Sequence, residues 1–209
     1  MQEAELIARI EQCNADSSVF GILLMMPLPP HLDAQRVVNA IRPDKDADGL
    51  TDCNVARLFT GRPAFVPCTP QAVMAILDYY GVELAGKEVV VIGRSAVVGK
   101  PLAQLCLARN ATVTQCHTGT ADLKAVTRRG DVVIAAAGKA GLVTADMIKP
   151  GAVVIDVGIN RVDGKTVGDV AFEEVAGVAG AVTPVPGGVG AVTTMMVLAN
   201  VIGGTTHSM

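Results

Sequence analysis

Apolar and polar positions along the chain fall into two periods. Leu6, Ile10 and Cys13 recur at helical spacing, so Met1–Cys13 predicts an opening amphipathic helix. Val19–Met26 (VFGILLMM) is an unbroken apolar run of strand length, expected as a parallel strand covered on both faces and stopped by the prolines of PLPP at 27–30. Asp33 is placed to cap a short helix carrying Val37, Val38 and Ile41. Thr69 and Pro70 read as N-cap and first helical residue. Ala72, Val73, Ile76, Leu77 and Tyr80 then form the buried face, and Gly81 ends the helix. Beyond it the alternation becomes regular: strands at Val89–Ile92, Ala111–Gln115, Asp131–Ala137 and Ala152–Val157. Helices lie between them at Pro101–Arg109, at Asp122–Arg129 and after Thr144. This order predicts a doubly wound, Rossmann-like parallel sheet with right-handed crossovers. A glycine-proline loop, TPVPGGVGAVTT (183–194), and an apolar helix over Thr193–Ile202 close the chain.

Within this pattern the stretch KEVVVIGRSAVVGKP (87–101) is the one most suited to chemistry. A buried strand runs through a glycine turn into a helix, presenting backbone N–H groups and a favourable dipole to a phosphate. Ser95 stands where the second glycine of G-x-G-x-x-G belongs, so the generic dinucleotide motif is not met. An ordinary strand-to-helix turn explains this stretch equally well. The second strand ends in Gln115-Cys116-His117-Thr118, without the carboxylate that receives ribose hydroxyls in NAD-binding domains. A guanidinium at Arg94 on the turn suits a 2′-phosphate, so NADP is favoured over NAD; a solvated surface arginine is the competing reading.

Composition changes this picture in two ways. Half of the 209 residues are apolar but only 3% are aromatic and none is Trp, so the core must be aliphatic, as in helix-covered parallel sheets. The net charge of −3 argues against nucleic-acid or anionic-membrane partners. No apolar run is long enough to span a membrane. Five cysteines, odd in number and without C-x-x-C spacing, read as reduced thiols of a cytoplasmic protein, and no metal site is expected. The loop RPDKDADG (42–49) opens like a calcium loop, with Asp44, Asp46 and Asp48 at alternate positions. Gly49 follows at once, however, and no Glu stands at the twelfth position, so calcium is rejected. Either the loop is a solvated turn, or one of its carboxylates binds a polar substrate.

The segments GILLMMPLP (21–29), PDKDADG (43–49), CTPQAVMAIL (68–77), GRSAVVGKP (93–101), GAVVIDVGIN (151–160), VGDV (167–170) and TPVPGGVG (183–190) together resemble the methylenetetrahydrofolate dehydrogenase/cyclohydrolase family, in order and over essentially the whole chain. The resemblance implies a bifunctional enzyme of one-carbon metabolism. It would use NADP to oxidise 5,10-methylenetetrahydrofolate to 5,10-methenyltetrahydrofolate and then hydrolyse that to 10-formyltetrahydrofolate. It also implies an α/β folate-binding domain (1–84 and 189–209), a Rossmann-like NADP-binding domain (85–188), a cleft between them, and a homodimer formed through the NADP domains. By position, Gly93, Arg94 and Ser95 would hold the cofactor phosphates, Thr118 would join Arg94 at the 2′-phosphate, and Ile159 would line the nicotinamide side. Asp48 would bind the pterin ring, and Pro186, Gly187, Gly188, Val189 and Gly190 would shape the folate wall.

The match breaks at the hydrolytic chemistry. The family's Tyr and Lys, which manage protons at the bridge nitrogens, fall in a segment before anything in this sequence, and no Y-x-x-x-K occurs within it. Met25 takes the place of a supporting Gln and cannot orient an ammonium as an amide does. Ala191 replaces a Pro that usually follows VPGGVG. The expectation is a chain lacking the family's N-terminal segment, binding NADP and folate but with little cyclohydrolase activity. A non-catalytic NADP-binding or dimerisation module is the alternative. A shikimate-dehydrogenase-like enzyme would leave the loops at 43–49 and 183–190 unexplained.

Overall fold

In a computed structural model, residues 1–203 are described, and the chain divides into two compact units. One is Met1–Cys68 with the chain from Met195 onward, and the other is Thr69–Thr194. The boundaries expected from the family resemblance are 84/85 and 188/189. The end of the expected 189–209 segment, residues 204–209, lies outside the described residues.

The second unit is built on a five-stranded parallel sheet. Its strands are β1 (Glu88–Ile92), β2 (Thr112–Cys116), β3 (Val132–Ala135) and β4 (Val153–Asp156), with a short edge strand at Ala181–Val182. The order is β2-β1-β3-β4 and then the edge strand. The chain therefore moves one way from β1 to β2 and returns past β1 to β3. Right-handed crossovers then place the helix at Gly99–Ala108 and the helix at Leu123–Thr127 on opposite faces. The buried residues Val89, Val90, Val91, Val132, Val133, Ile134 and Val154 fill the sheet, an aliphatic core as the composition requires. Between β4 and the edge strand come a two-stranded hairpin, Asn160–Val162 with Lys165–Val167, and a short helix, Phe172–Ala176. The hairpin turns on Asp163 and Gly164 at φ 49° and 76°, an Asp-Gly pair suited to a tight turn.

The first unit differs from expectation. Its helices are Glu3–Ala15, Ala34–Asn39 and Asp52–Phe59, and Ile10, Val37 and Ile41 form its small core with Ile22, Leu24 and Leu28 against them. The strand expected at Val19–Met26 is not formed. A strand exists only where a neighbouring backbone completes its ladder, and this segment makes a single bridge, between Ile22 and Asp46. Ile22 and Leu24 turn inward while Phe20 (74% exposed) and Met25 (75%) face outward, so the run is covered on one face only. The helix Asp52–Phe59, capped by the Thr51 hydroxyl accepting from the Asn54 amide, is not among the expected elements; of its apolar residues Leu58 is buried, while Cys53, Val55, Ala56 and Phe59 are exposed.

Helix boundaries elsewhere shift modestly. The helix of CTPQAVMAIL begins at Cys68, so Thr69 lies inside its first turn, and Tyr80, expected on its buried face, is 74% exposed. The closing helix begins at Val189 rather than Thr193 and runs to Gly203, so Val189 and Gly190 of the glycine-proline loop are helical. Among the described residues, no helix is long and apolar enough to cross a membrane.

Candidate functional site

Four matched residues cross the parallel sheet in one row: Cys116 beside Ile92, Ile92 beside Ala135, and Ala135 beside Asp156. The turns that follow all four strands therefore open at one level, on the edge where open parallel sheets bind ligands. The reversal of strand order between β1 and β3 lies in the middle of that edge.

Gly93 leaves β1 at φ 129°, and a Cβ there would lie 2.1 Å from the Ala136 carbonyl oxygen. Gly99 starts the following helix with no room either, since its Cβ would fall 2.3 Å from the Gly93 oxygen. Any side chain at these two positions would force apart the turn between strand and helix. The Ser95 hydroxyl accepts from the Val98 amide (3.1 Å) and the Gly99 amide (3.4 Å), which leaves its own O–H to donate. Arg94 is exposed, and among the described residues no hydrogen bond or ion pair holds its guanidinium. The next turn is braced from within: Thr120 Oγ1 accepts from the His117 amide at 2.9 Å and His117 Nδ1 accepts from the Gly119 amide at 3.0 Å. Thr118 is exposed at its tip. Arg94 and Thr118 each stand two residues beyond the matched pair Ile92 and Cys116, so strand register brings the two turns side by side. Gly93, Ser95, Arg94 and Thr118 thus combine a close-approach turn, a free hydroxyl donor and an unpaired guanidinium, which fits a phosphorylated nucleotide.

Ile159 is 69% exposed on the turn after β4, and a Cβ on Gly190 would lie 3.9 Å from its Cδ1. Ile159 and the end of the glycine-proline loop are therefore neighbours. Within that loop Gly187 takes φ 98°, and a Cβ on Gly188 would meet the Pro184 oxygen at 2.4 Å. Pro186 and Gly190 are exposed, whereas Val189 is buried.

In the first unit the three alternating aspartates have separate duties. Asp44 is exposed and paired with Arg42 at 2.6 Å. Asp46 is buried and accepts from the Leu50 amide (3.2 Å), the Thr51 amide (2.8 Å) and Asn54 Nδ2 (2.9 Å). Asp48 is half-buried, with one backbone bond, from the Cys68 amide at 2.9 Å, and the Cys68 thiol beside it. Burial raises the Asp48 carboxyl above its usual range, opposed by those two contacts. Burial, reinforced by the Asp48 charge, pushes the Cys68 thiol up to about 12, so it remains a thiol. Gly49 follows at φ 63°, with its Cβ position 2.3 Å from the Phe65 oxygen. Asn200 Nδ2 donates to Ala47 O (2.8 Å) and Val66 O (3.1 Å), tying the closing helix to this loop. Met25, at the expected glutamine position, is exposed.

The family model "Tetrahydrofolate dehydrogenase/cyclohydrolase, NAD(P)-binding domain" matches residues 67–208, and the catalytic-domain model of the same family matches residues 1–48. The bifunctional protein FolD of Paracidovorax citrulli is 55% identical over 203 residues, which are 97% of this chain and 72% of that protein. The chain belongs to the tetrahydrofolate dehydrogenase/cyclohydrolase family. Among solved structures, the bifunctional FolD enzyme of Campylobacter jejuni superposes with a TM-score of 0.95 at 46% identity, covering 97% of this chain and 73% of that one. The Trypanosoma brucei dehydrogenase-cyclohydrolase, complexed with NADP and an inhibitor, gives 0.92 at 41% identity, over 97% of this chain and 72% of that one. The family's domain name admits both NAD and NADP, and the NADP bound in the Trypanosoma brucei relative supports NADP.

Two buried aspartates of this family member, Asp156 and Asp169, were assigned no role from sequence. Their signal was present: each is a lone carboxylate beside apolar residues, two residues before a glycine in DVG or directly after one in VGD.

Proposed function

We propose that the chain binds NADP and 5,10-methylenetetrahydrofolate and carries out the dehydrogenase step of the family, giving 5,10-methenyltetrahydrofolate. Bound NADP would accept the hydride from the one-carbon bridge of the folate. The chain's own residues position the reactants for that transfer. The Gly93–Ser95 turn receives the phosphates, and Arg94 with Thr118 receives the 2′-phosphate. Ile159 lines the nicotinamide side, Asp48 binds the pterin, and Pro186–Gly190 shape the folate wall. The observation that carries the cofactor choice is the unpaired Arg94 guanidinium beside a second strand whose end bears no carboxylate.

Hydrolysis to 10-formyltetrahydrofolate, the family's second activity, is supported less fully by these residues. Y-x-x-x-K is not found in the 209 residues, and the exposed Met25 offers no amide. The same two facts favour the second reading, a module that binds NADP without turnover. Steady-state formation of the methenyl product with NADP separates the readings. Turnover with 10-formyl product lagging far behind supports the proposal, and NADP binding with no methenyl product overturns it.

Two further properties belong to the same reading. All five cysteines are free thiols, consistent with a reducing cytoplasm. A homodimer paired through the cofactor-binding unit is implied by the family resemblance, and light scattering across a dilution series tests it.

A further inference from the structure

Asp156 and Asp169 interlock behind the cofactor-facing turns. Asp156 accepts from the amides of Gly158, Asp169 and Val170, each at 2.9 Å. A Cβ on Gly168 would lie 1.8 Å from its Oδ2. Reciprocally, Asp169 presses its carboxylate against Gly158, where a Cβ would lie 2.2 Å from Oδ1. DVG (156–158) and VGD (167–169) thus form a clasp in which each glycine makes room for the other segment's carboxylate. The Asp169 backbone is fixed as well, its carbonyl accepting from the Val143 amide at 3.0 Å.

The Asp169 carboxylate reaches outward from this clasp to two turns. It accepts from three consecutive amides after β3, those of Ala137 (2.6 Å), Gly138 (2.9 Å) and Lys139 (2.8 Å). With Gly138 at φ 66°, those amides converge as a backbone nest of the kind that binds anions, and here the anion is a side chain of the same protein. The fourth donor is Asn160 Nδ2 at 2.9 Å, from the turn that carries Ile159. A carboxylate can satisfy four donors, whereas an asparagine offers a single acceptor oxygen and turns an N–H toward the others.

We infer that Asp169, held by Asp156 and the two glycines, is a positioning residue that fixes the loop after β3 and the Ile159 turn relative to each other, and so sets the nicotinamide side of the cofactor site. This rests on the NADP reading above. The clasp touches the turns after β3 and β4 but neither Arg94 nor Thr118, so its loss separates the two ends of the cofactor.

Calorimetric binding of NADP and of 2′,5′-ADP, a fragment with the 2′-phosphate but no nicotinamide, tests this with Asp169→Asn and Asn160→Ala. Asp169→Asn is expected to weaken NADP about tenfold while changing 2′,5′-ADP less than about threefold. Amide hydrogen exchange should quicken at 137–139 and stay unchanged in β1. Asn160→Ala removes one donor from a partly exposed residue and carries the test should the buried variant not fold. Its expected loss is about threefold for NADP and none for 2′,5′-ADP. Equal losses for both ligands, or no loss for either, would overturn the inference alone. A parent chain that binds neither ligand would overturn the NADP reading and this inference with it.

Discussion

Two aspartates, Asp169 in one unit and Asp48 in the other, differ in how much of their hydrogen-bonding capacity the fold itself consumes. Asp169 is fully buried and accepts four hydrogen bonds from its own chain. A carboxylate has about four acceptor sites, so none is left for anything else. Asp48 is half-buried and accepts one backbone bond, with a thiol beside it. It bears the cost of burial without the bonds that would offset it, and keeps acceptor capacity for an incoming donor. The same contrast recurs two residues apart in sequence, since Asp46 accepts three bonds and closes its loop. It recurs among cations: Lys45 donates to the carbonyls of Cys13, Asn14 and Asp16 at the end of the first helix, while among the described residues the Arg94 guanidinium has no acceptor. Unspent hydrogen-bonding capacity is what Asp48 and Arg94 share, and the roles proposed for them toward substrate and cofactor draw on it.

The comparison is broken most directly by exchanging the two kinds of aspartate. Asp46→Ala removes the acceptor of the Leu50 and Thr51 amides and one of the two acceptors of Asn54 Nδ2, which keeps the Pro43 carbonyl, and should cost about 2–3 kcal/mol of stability, read from urea denaturation. Asp48→Ala removes only one such partner, so its stability should change by less than about 1 kcal/mol, while folate binding disappears and NADP binding stays intact. Unchanged folate affinity in calorimetry would make Asp48 only a loop residue. Arg94→Ala is the next largest effect: losing a charged bond to phosphate should cost about 1.5–3 kcal/mol of NADP affinity and leave NAD nearly unchanged. Equal loss for both cofactors would remove Arg94 from the 2′-phosphate.

Four of the sheet's five strands were legible, because β1, β3 and β4 are short aliphatic runs and β2 lies between two helical stretches, whereas the two-residue edge strand Ala181–Val182 is too short to show a period. Val19–Met26 is also a short apolar run but has no partner strand among the described residues, and a ladder is a property of two segments, which one segment's pattern does not contain. Open positions were legible for a related reason. Gly93, Arg94 and Ser95 are neighbours in sequence and form one turn, so their common face follows from local geometry. The Asp156–Asp169 clasp joins segments thirteen residues apart across a hairpin, and its meaning lies in which amides converge on each carboxylate. The hairpin itself carried a readable sign in Asp163-Gly164 that the strand-and-helix alternation obscured.

The finest test of unspent capacity is the effect of pH on the stability of Asp48→Asn. Burial raises the Asp48 carboxyl above its ordinary value of 3.8, so the folded chain holds that proton more tightly than the unfolded chain does. As pH rises from the ordinary carboxylate value through the raised one, the unfolded chain loses the proton first, and the folded chain loses stability. Above both values the full penalty of a poorly paired, buried charge is present; below both it is absent. Asparagine keeps an oxygen to accept from the Cys68 amide and carries no charge at any pH. The melting temperature of Asp48→Asn should therefore exceed that of the parent at pH 7, with the gap narrowing as pH falls through the raised value. On the proposed role of Asp48 the same substitution should weaken folate binding, since that role calls on the charge that the fold would be more stable without. A gap of equal size at every pH would mean that Asp48 is solvated well enough to titrate normally, and its difference from Asp169 would then be one of exposure alone.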